Sequence, residues 1–241
     1  MACYVVVGMH RSGTSLCAQL LSRAGVTMLY EDTRQADQWN EDGYFEDVEF
    51  VSLNEALLHM AGGSWLVPPP AGRIWDVADA LQDVIRSAID KRSGIYKWGF
   101  KDPRTALTVH CYWPFLAGAD PHFVHMTRGK DAVVDSLLRR TQDWADLTRA
   151  RIIAGEVPNE AEAILAVACG GADAWGELVD EYARRIAALE AFAGQRDVPW
   201  LRVEYERLTD PTTARAEVQA LCDFVGQGNA GVLMQAIKYR R

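Results

Sequence analysis

The sequence predicts a three-layer α/β domain, a mainly parallel sheet covered by helices on both faces. Three observations carry this. Short β-branched or aromatic runs alternate with stretches of helical periodicity along the chain. The first run, Val5-Val6-Val7, is apolar without alternation, as a strand buried on both faces must be. It stops at Gly8, and a short polar turn leads directly into an amphipathic helix. At 241 residues the chain has the length of one sizeable α/β unit, so a single domain over 1–241 is expected.

The first strand runs over about Cys3–Val7 and the first helix over about Thr14–Ala24, with Leu16, Leu20 and Leu21 on its apolar face. A polar connection follows over Tyr30–Tyr44, with the turn signal Asn40-Glu41-Asp42-Gly43. Val48, Val51, Leu57 and Leu58 have helical spacing within Val48–Met60. Pro68-Pro69-Pro70 suits neither helix nor central strand, so Gly62–Gly72 reads as a loop carrying Trp65. Val77, Leu81, Val84, Ile85, Ala88 and Ile89 give the clearest amphipathic period in the chain. Tyr96–Phe100 and His122–Met126 read as short strands, each followed by charged residues. Asp131–Arg140 reads as a helix with Val133, Val134 and Leu137 inward. From Thr141 to Phe192 the pattern is almost wholly helical, broken near Gly155–Pro158 and Gly170–Gly171. Pro199–Val203 is a late strand, and Pro211–Val225 a helix opened by Thr209-Asp210-Pro211.

Composition narrows the class. Hydrophobic residues make up 49% and charged residues 24%, as in ordinary soluble globular proteins. With 25 Lys and Arg against 33 Asp and Glu, the net charge is −8, which disfavours nucleic acid and anionic membranes as partners. Any anion site must therefore be a local basic pocket. The five cysteines are scattered without metal-ligand spacing, and read as reduced, mostly buried small hydrophobes. No basic stretch precedes the first apolar run, and no apolar stretch approaches the roughly 20 residues of a membrane span. The expected compartment is the cytoplasm.

The stretch Val7-Gly8-Met9-His10-Arg11-Ser12-Gly13-Thr14-Ser15 has the layout of a strand, an anion-cradling turn and a helix N-terminus. The spacing Gly8-x4-Gly13 matches a Walker A loop, but Thr14 stands where that loop needs its lysine. The nearest cation is Arg11, inside the turn. Basic or polar residues also follow two further strands, at Lys101–Arg104 and Thr127–Lys130. In open parallel sheets ligands bind beyond the carboxyl ends of the strands. Cations after three strands point to one shared anionic ligand.

At these residues the chain resembles the PAPS-dependent sulfotransferases, in which 3′-phosphoadenosine 5′-phosphosulfate (PAPS) gives a sulfuryl group to an acceptor hydroxyl or amine. Gly8–Ser15 looks like the family's 5′-phosphosulfate loop, in a bacterial form with arginine in place of lysine. Thr127-Arg128 with Ser136 looks like its 3′-phosphate motif. Val203–Pro211 resembles a late block whose tyrosine, here Tyr205, lies by the adenine. Asn40–Asp47 and Gly99–Thr105 look like bacterial and glycan-type branches. The resemblance implies the P-loop NTPase-like sulfotransferase fold, with a helical acceptor-side segment around 141–193. Two departures stand out. Leu16 replaces a tryptophan that often stacks on adenine, and Gly226-Gln227-Gly228-Asn229 stands near a missing Arg-Lys-Gly loop. Lys238, Arg240 and Arg241 are candidates to cover the 3′-phosphate instead.

Sulfuryl transfer calls for positioning and charge stabilisation. Arg11 and the Gly13–Ser15 amides, with the Thr14 and Ser15 hydroxyls, suit the leaving 5′-phosphate, and Ser12 belongs to the same cradle. Arg128 and Ser136 suit the 3′-phosphate. Glu46, behind Tyr44 and Phe45, is the first candidate general base; its alternative role is to cap the helix beginning near Asp47. His59 is the second candidate base. Lys101 is expected to stabilise the sulfuryl oxygens or orient the acceptor, or else to sit in a Lys–Asp pair holding a turn, and Arg104 is expected on acceptor or donor. Trp39, Tyr44, Trp65, the triple proline and Trp144 are candidate walls of an acceptor pocket for a small molecule or carbohydrate. No metal is expected. A P-loop small-molecule or nucleotide kinase and a catalytically inactive nucleotide-binding protein are the alternatives.

Overall fold

The computed structural model describes residues 1–29, 43–156 and 160–237. Most of the Tyr30–Tyr44 connection, Trp39, the Asn40–Asp42 part of the GYFED-containing stretch, Pro158, and Lys238, Arg240 and Arg241 lie outside the described residues.

Four strands, β1 (Ala2–Val7), β2 (Lys97–Lys101), β3 (Pro121–Thr127) and β4 (Trp200–Glu204), form one sheet in the order β2-β1-β3-β4. Every pairing is parallel, with Val5 opposite Phe100 on one side and Phe123 on the other. Parallel strands need helical crossovers, which cover both faces. The alternation along β1 makes this concrete. Cys3, Val5 and Val7 enter one core with Phe50, Trp98, Phe100, Tyr112 and Trp175, while Tyr4 and Val6 enter the other with Leu20, Leu21, Val124 and Leu221.

The first core is roofed by α2 (Val48–Met60), α3 (Ala71–Ala78), α4 (Gln82–Asp90), α5 (Thr105–Leu116), α6 (Lys130–Ile153) and α7 (Ala161–Gly194). The second is roofed by α1 (Thr14–Arg23), with α8 (Tyr205–Thr209), α9 (Ala214–Val225) and α10 (Ala230–Leu233). The predicted three-layer parallel α/β architecture is the one observed.

Several elements differ from expectation for physical reasons. The sequence showed no period over α5, because it is buried nearly all round and carries Pro114 inside. The period over 77–89 is divided between α3 and α4 by a single 3₁₀ turn at Asp79–Leu81, and Val84 faces solvent. On α1 the buried face is Cys17, Ala18, Leu20 and Leu21, and Leu16 packs only partly against that core. Val48, the first residue of α2, is exposed, and Phe50 and Leu53 do the packing. The long helical stretch breaks where glycine allowed it: α6 ends before Gly155 (φ 85°), and α7 kinks at Gly171 (φ 58°, ψ −138°). Cys3, Cys17, Cys111 and Cys222 are buried and Cys169 is exposed. Among the described residues, no helix is long and apolar enough to cross a membrane.

Candidate functional site

A cavity of about 400 Å³ opens at the carboxyl ends of the strands. Arg11, Thr14 and Ser15 reach it from the turn after β1, Lys101 from the end of β2, Arg128 from the turn after β3, and Tyr205 from the residue after β4. The sequence pointed to three strand ends; the fold brings in the fourth through Tyr205.

The turn after β1 is tightly specified. Arg11 (φ 68°) and Gly13 (φ 97°) both sit in the left-handed region, where only glycine is at ease, so a non-glycine at Arg11 marks a strained, functional-type turn. A Cβ at Gly13 would run into the Tyr205 ring. Ser12, expected among the ligand-binding residues, is buried, and its Oγ donates to the Met9 carbonyl at 2.7 Å. It braces the turn and does not line the cavity. Gly13 ends the turn at the N-terminus of α1, whose first N–H groups have no acceptor within the helix.

Three of the predicted residues are joined here by hydrogen bonds. Arg11 Nε donates to Ser136 Oγ at 3.0 Å, and Arg128 Nη1 donates to the Arg11 carbonyl at 2.8 Å. The Arg128 guanidinium lies over the Tyr205 ring, 4.5 Å from its centre. Ser136 is buried on α6, and one helical turn beyond it Arg140 also lines the cavity. Arg140, stacked on Trp144, is a site residue that the sequence reading passed over. Its signal was the i,i+4 spacing from Ser136, which puts both on one face.

Glu46 and Lys101 form the second half of the site. Lys101 Nζ donates to Glu46 Oε1 at 2.8 Å and to Ser15 Oγ at 3.2 Å. Both side chains are buried, at 1% and 4% exposure. Glu46 follows Phe45, which is held at φ 52°, and precedes Asp47. It is Asp47 that caps α2, accepting from Glu49 N at 3.0 Å, so Glu46 does not serve as the cap. Arg92 grips Asp47 at 2.5 Å from the end of α4, which anchors the backbone behind Glu46.

His59 is exposed in the last turn of α2 and does not line the cavity. The anticipated Lys–Asp turn is made by a different cation. Arg104 Nη1 donates to Asp102 Oδ1 at 2.8 Å and Arg104 Nη2 to Glu55 at 2.9 Å, so Arg104 is buried in the scaffold and does not face the cavity. Burial raises the Asp102 carboxyl above its usual range, against the opposing pull of Arg104. Burial lowers Arg104 as well, but Asp102, Glu55 and Glu46 together carry it upward, so it stays charged. Trp65, offered as a wall of the acceptor pocket, is buried instead against His10, Trp144 and Trp175. Tyr44 does line the cavity, and so does Leu16. Beneath the turn, burial pushes the Cys17 thiol up to about 12, with Lys101 opposing, which makes it unreactive. Among the described residues, no group of three or more His, Cys, Asp or Glu is arranged to hold a metal ion.

No family model matches the chain, and no curated protein matches it in sequence. Among solved structures it is similar to the full-length tRNA isopentenylpyrophosphate transferase from Bacillus halodurans, with 14% identity and a TM-score of 0.41. That match covers 98% of this chain and 97% of that one, and is too distant to carry chemistry across.

Proposed function

We propose that the chain is a PAPS-dependent sulfotransferase that moves a sulfuryl group to a hydroxyl or amine of a small-molecule or glycan acceptor. The observation that carries this reading is the set of cations around one cavity. Arg11, Lys101 and Arg128 come from three strand ends, Arg140 comes from α6, and among the described residues one buried carboxylate, Glu46, sits with them. A donor with anions at two ends, a 3′-phosphate and a 5′-phosphosulfate, suits that spread.

In this reading Arg128 and Ser136 hold the 3′-phosphate, and Tyr205 lies at the adenine side. The Gly13–Ser15 amides and Arg11 hold the 5′-phosphate. The acceptor oxygen forms a bond to sulfur as its proton passes to Glu46. The bond from sulfur to the bridging oxygen breaks, and its electron pair leaves on the 5′-phosphate, where Arg11 stabilises the growing charge. Lys101 bridges Glu46 to Ser15 and so ties the base to the phosphate loop. The reading keeps the cytoplasm as the compartment.

One observation favours a P-loop kinase as a second reading: Lys101 supplies, from β2, a lysine beside a loop that lacks one at Thr14. Thermal-shift measurements with 3′-phosphoadenosine 5′-phosphate (PAP), ADP and ATP·Mg²⁺ separate the two. Stabilisation by PAP is expected, and stabilisation by ATP·Mg²⁺ alone would overturn the sulfotransferase. Arg128→Ala should weaken PAP far more than a nucleotide lacking the 3′-phosphate. Release of PAP from PAPS with a panel of hydroxylated acceptors distinguishes an enzyme from an inactive nucleotide-binding protein.

A further inference from the structure

A second cleft, of about 220 Å³, lies between the start of α3, the middle of α5 and the later turns of α7. It shares no lining residue with the first cavity. Leu107, Leu189, Trp113 and Phe192 make it apolar, the two rings meeting edge to face at 4.9 Å. At its edge Trp75, half exposed, stacks on His110 at 5.8 Å.

Two polar residues interrupt this lining, His110 and Arg185. Arg185 Nε donates to Glu181 at 2.6 Å and Nη2 to the Pro69 carbonyl at 2.7 Å. Its Nη1 is buried and has no hydrogen-bond partner among the described residues, and the same holds for His110 Nε2. A buried polar atom left without a partner is costly, so two of them on residues lining one small cleft need an explanation. Burial first, and then the Arg185 charge, hold His110 down at about 4, against a hydrogen bond to the Ala71 backbone. The ring is therefore neutral near pH 7. The neutral ring carries one N–H, which either ring nitrogen can hold.

We propose that this cleft is a binding site for a small aromatic monocarboxylate, its carboxyl group between Arg185 Nη1 and His110 Nε2 and its ring against Trp113 and Phe192. Arg185 donates to one carboxyl oxygen. Neutral His110, with its proton on Nε2, donates to the other, so binding leaves the proton count unchanged. The volume suits a single ring; drug-sized ligands occupy roughly 300–1,000 Å³. This site is independent of the chemistry proposed for the first cavity.

The test titrates the whole protein with phenylacetate and with 2-phenylethanol, its neutral counterpart, each with and without PAP. NMR signals of the His110 imidazole and the Trp113 indole report the cleft. Phenylacetate is expected to shift both signals with a Kd of about 1 mM or tighter, about tenfold tighter than 2-phenylethanol. Arg185→Gln should abolish that preference, and His110→Phe, which fills the cleft, should abolish binding. Equal affinity for the two probes, displacement by PAP, or no saturation by about 10 mM would each overturn the proposal. The wild-type comparison decides the matter even where a variant is too unstable to use.

Discussion

Lys101 and Asp102 are neighbours at the end of β2, and each is held in a buried ion pair, yet the two pairs do different work. Lys101 reaches to Glu46 and Ser15 at the wall of the strand-end cavity. Asp102 turns away to Arg104 and Asn54, among groups that join α2 to α5. Asn54 is the hub of that second network. Its amide nitrogen serves Asp102 and Thr105, and its oxygen accepts from Thr108 and Tyr112. Every hydrogen-bonding position of the Asn54 side chain is thus used, which is what makes a buried polar cluster affordable. In the cavity pair, by contrast, the partners also face space that a ligand can enter. Two buried pairs therefore divide into one that lines the cavity and one that holds the turn beneath it.

Substitutions can break this contrast in either direction. The largest effect is expected from Glu46→Gln, which removes the proposed base while keeping its shape. Turnover should fall by about 10²–10⁴-fold while PAP binding persists, as measured by PAP release and calorimetry. Normal turnover would shift the base elsewhere. The opposite signature is expected from Asp102→Ala, which leaves buried Arg104 with only the exposed Glu55 as carboxylate partner among the described residues. Urea unfolding should show a loss of about 3–5 kcal/mol. A stable Asp102→Ala protein that failed only in turnover would erase the distinction between the two pairs.

A smaller effect sharpens the same point through pH. His110 and His125 are held down at about 4, in both cases chiefly by burial, with Arg185 and Arg202 respectively adding to it. Their folded pKa values lie below the unfolded value of about 6.5, so the unfolded state binds more protons between these limits. Stability should therefore be complete above about pH 6.5 and fall as pH drops towards 4, by a few kcal/mol in all. His125→Phe should flatten part of that fall in the melting temperature, whereas Glu46→Gln should leave its histidine component in place.

Much of this arrangement could be read from the chain. The strand, turn and helix of residues 2–23 were legible because a doubly buried strand leaves an unbroken apolar run and the turn has to spend Gly8 and Gly13 where backbone comes close. Glu46 and Lys101 were both legible as candidates. Their pairing was not, because it joins residues 55 apart in sequence through a sheet edge. The helix α5 escaped notice because burial on all sides erases the period that reveals a helix. Ser12 and Arg104 lie away from the cavity for a common reason: a polar residue in a strand-end turn has two directions open to it, and the sequence does not say which one meets the cavity.

The opening loop marks the same division. By itself the sequence determined the parallel sheet, the tight turn between β1 and α1, and the absence of a lysine at Thr14. Those properties depend on local periodicity and on which residues tolerate a tight turn. Only the tertiary structure decided that β2 delivers Lys101 to that same turn, that Arg11, Ser136 and Arg128 interlock, and that Arg140 joins them. Such contacts follow from strand order and from which face of each helix is turned to the sheet, and no window of sequence contains both partners.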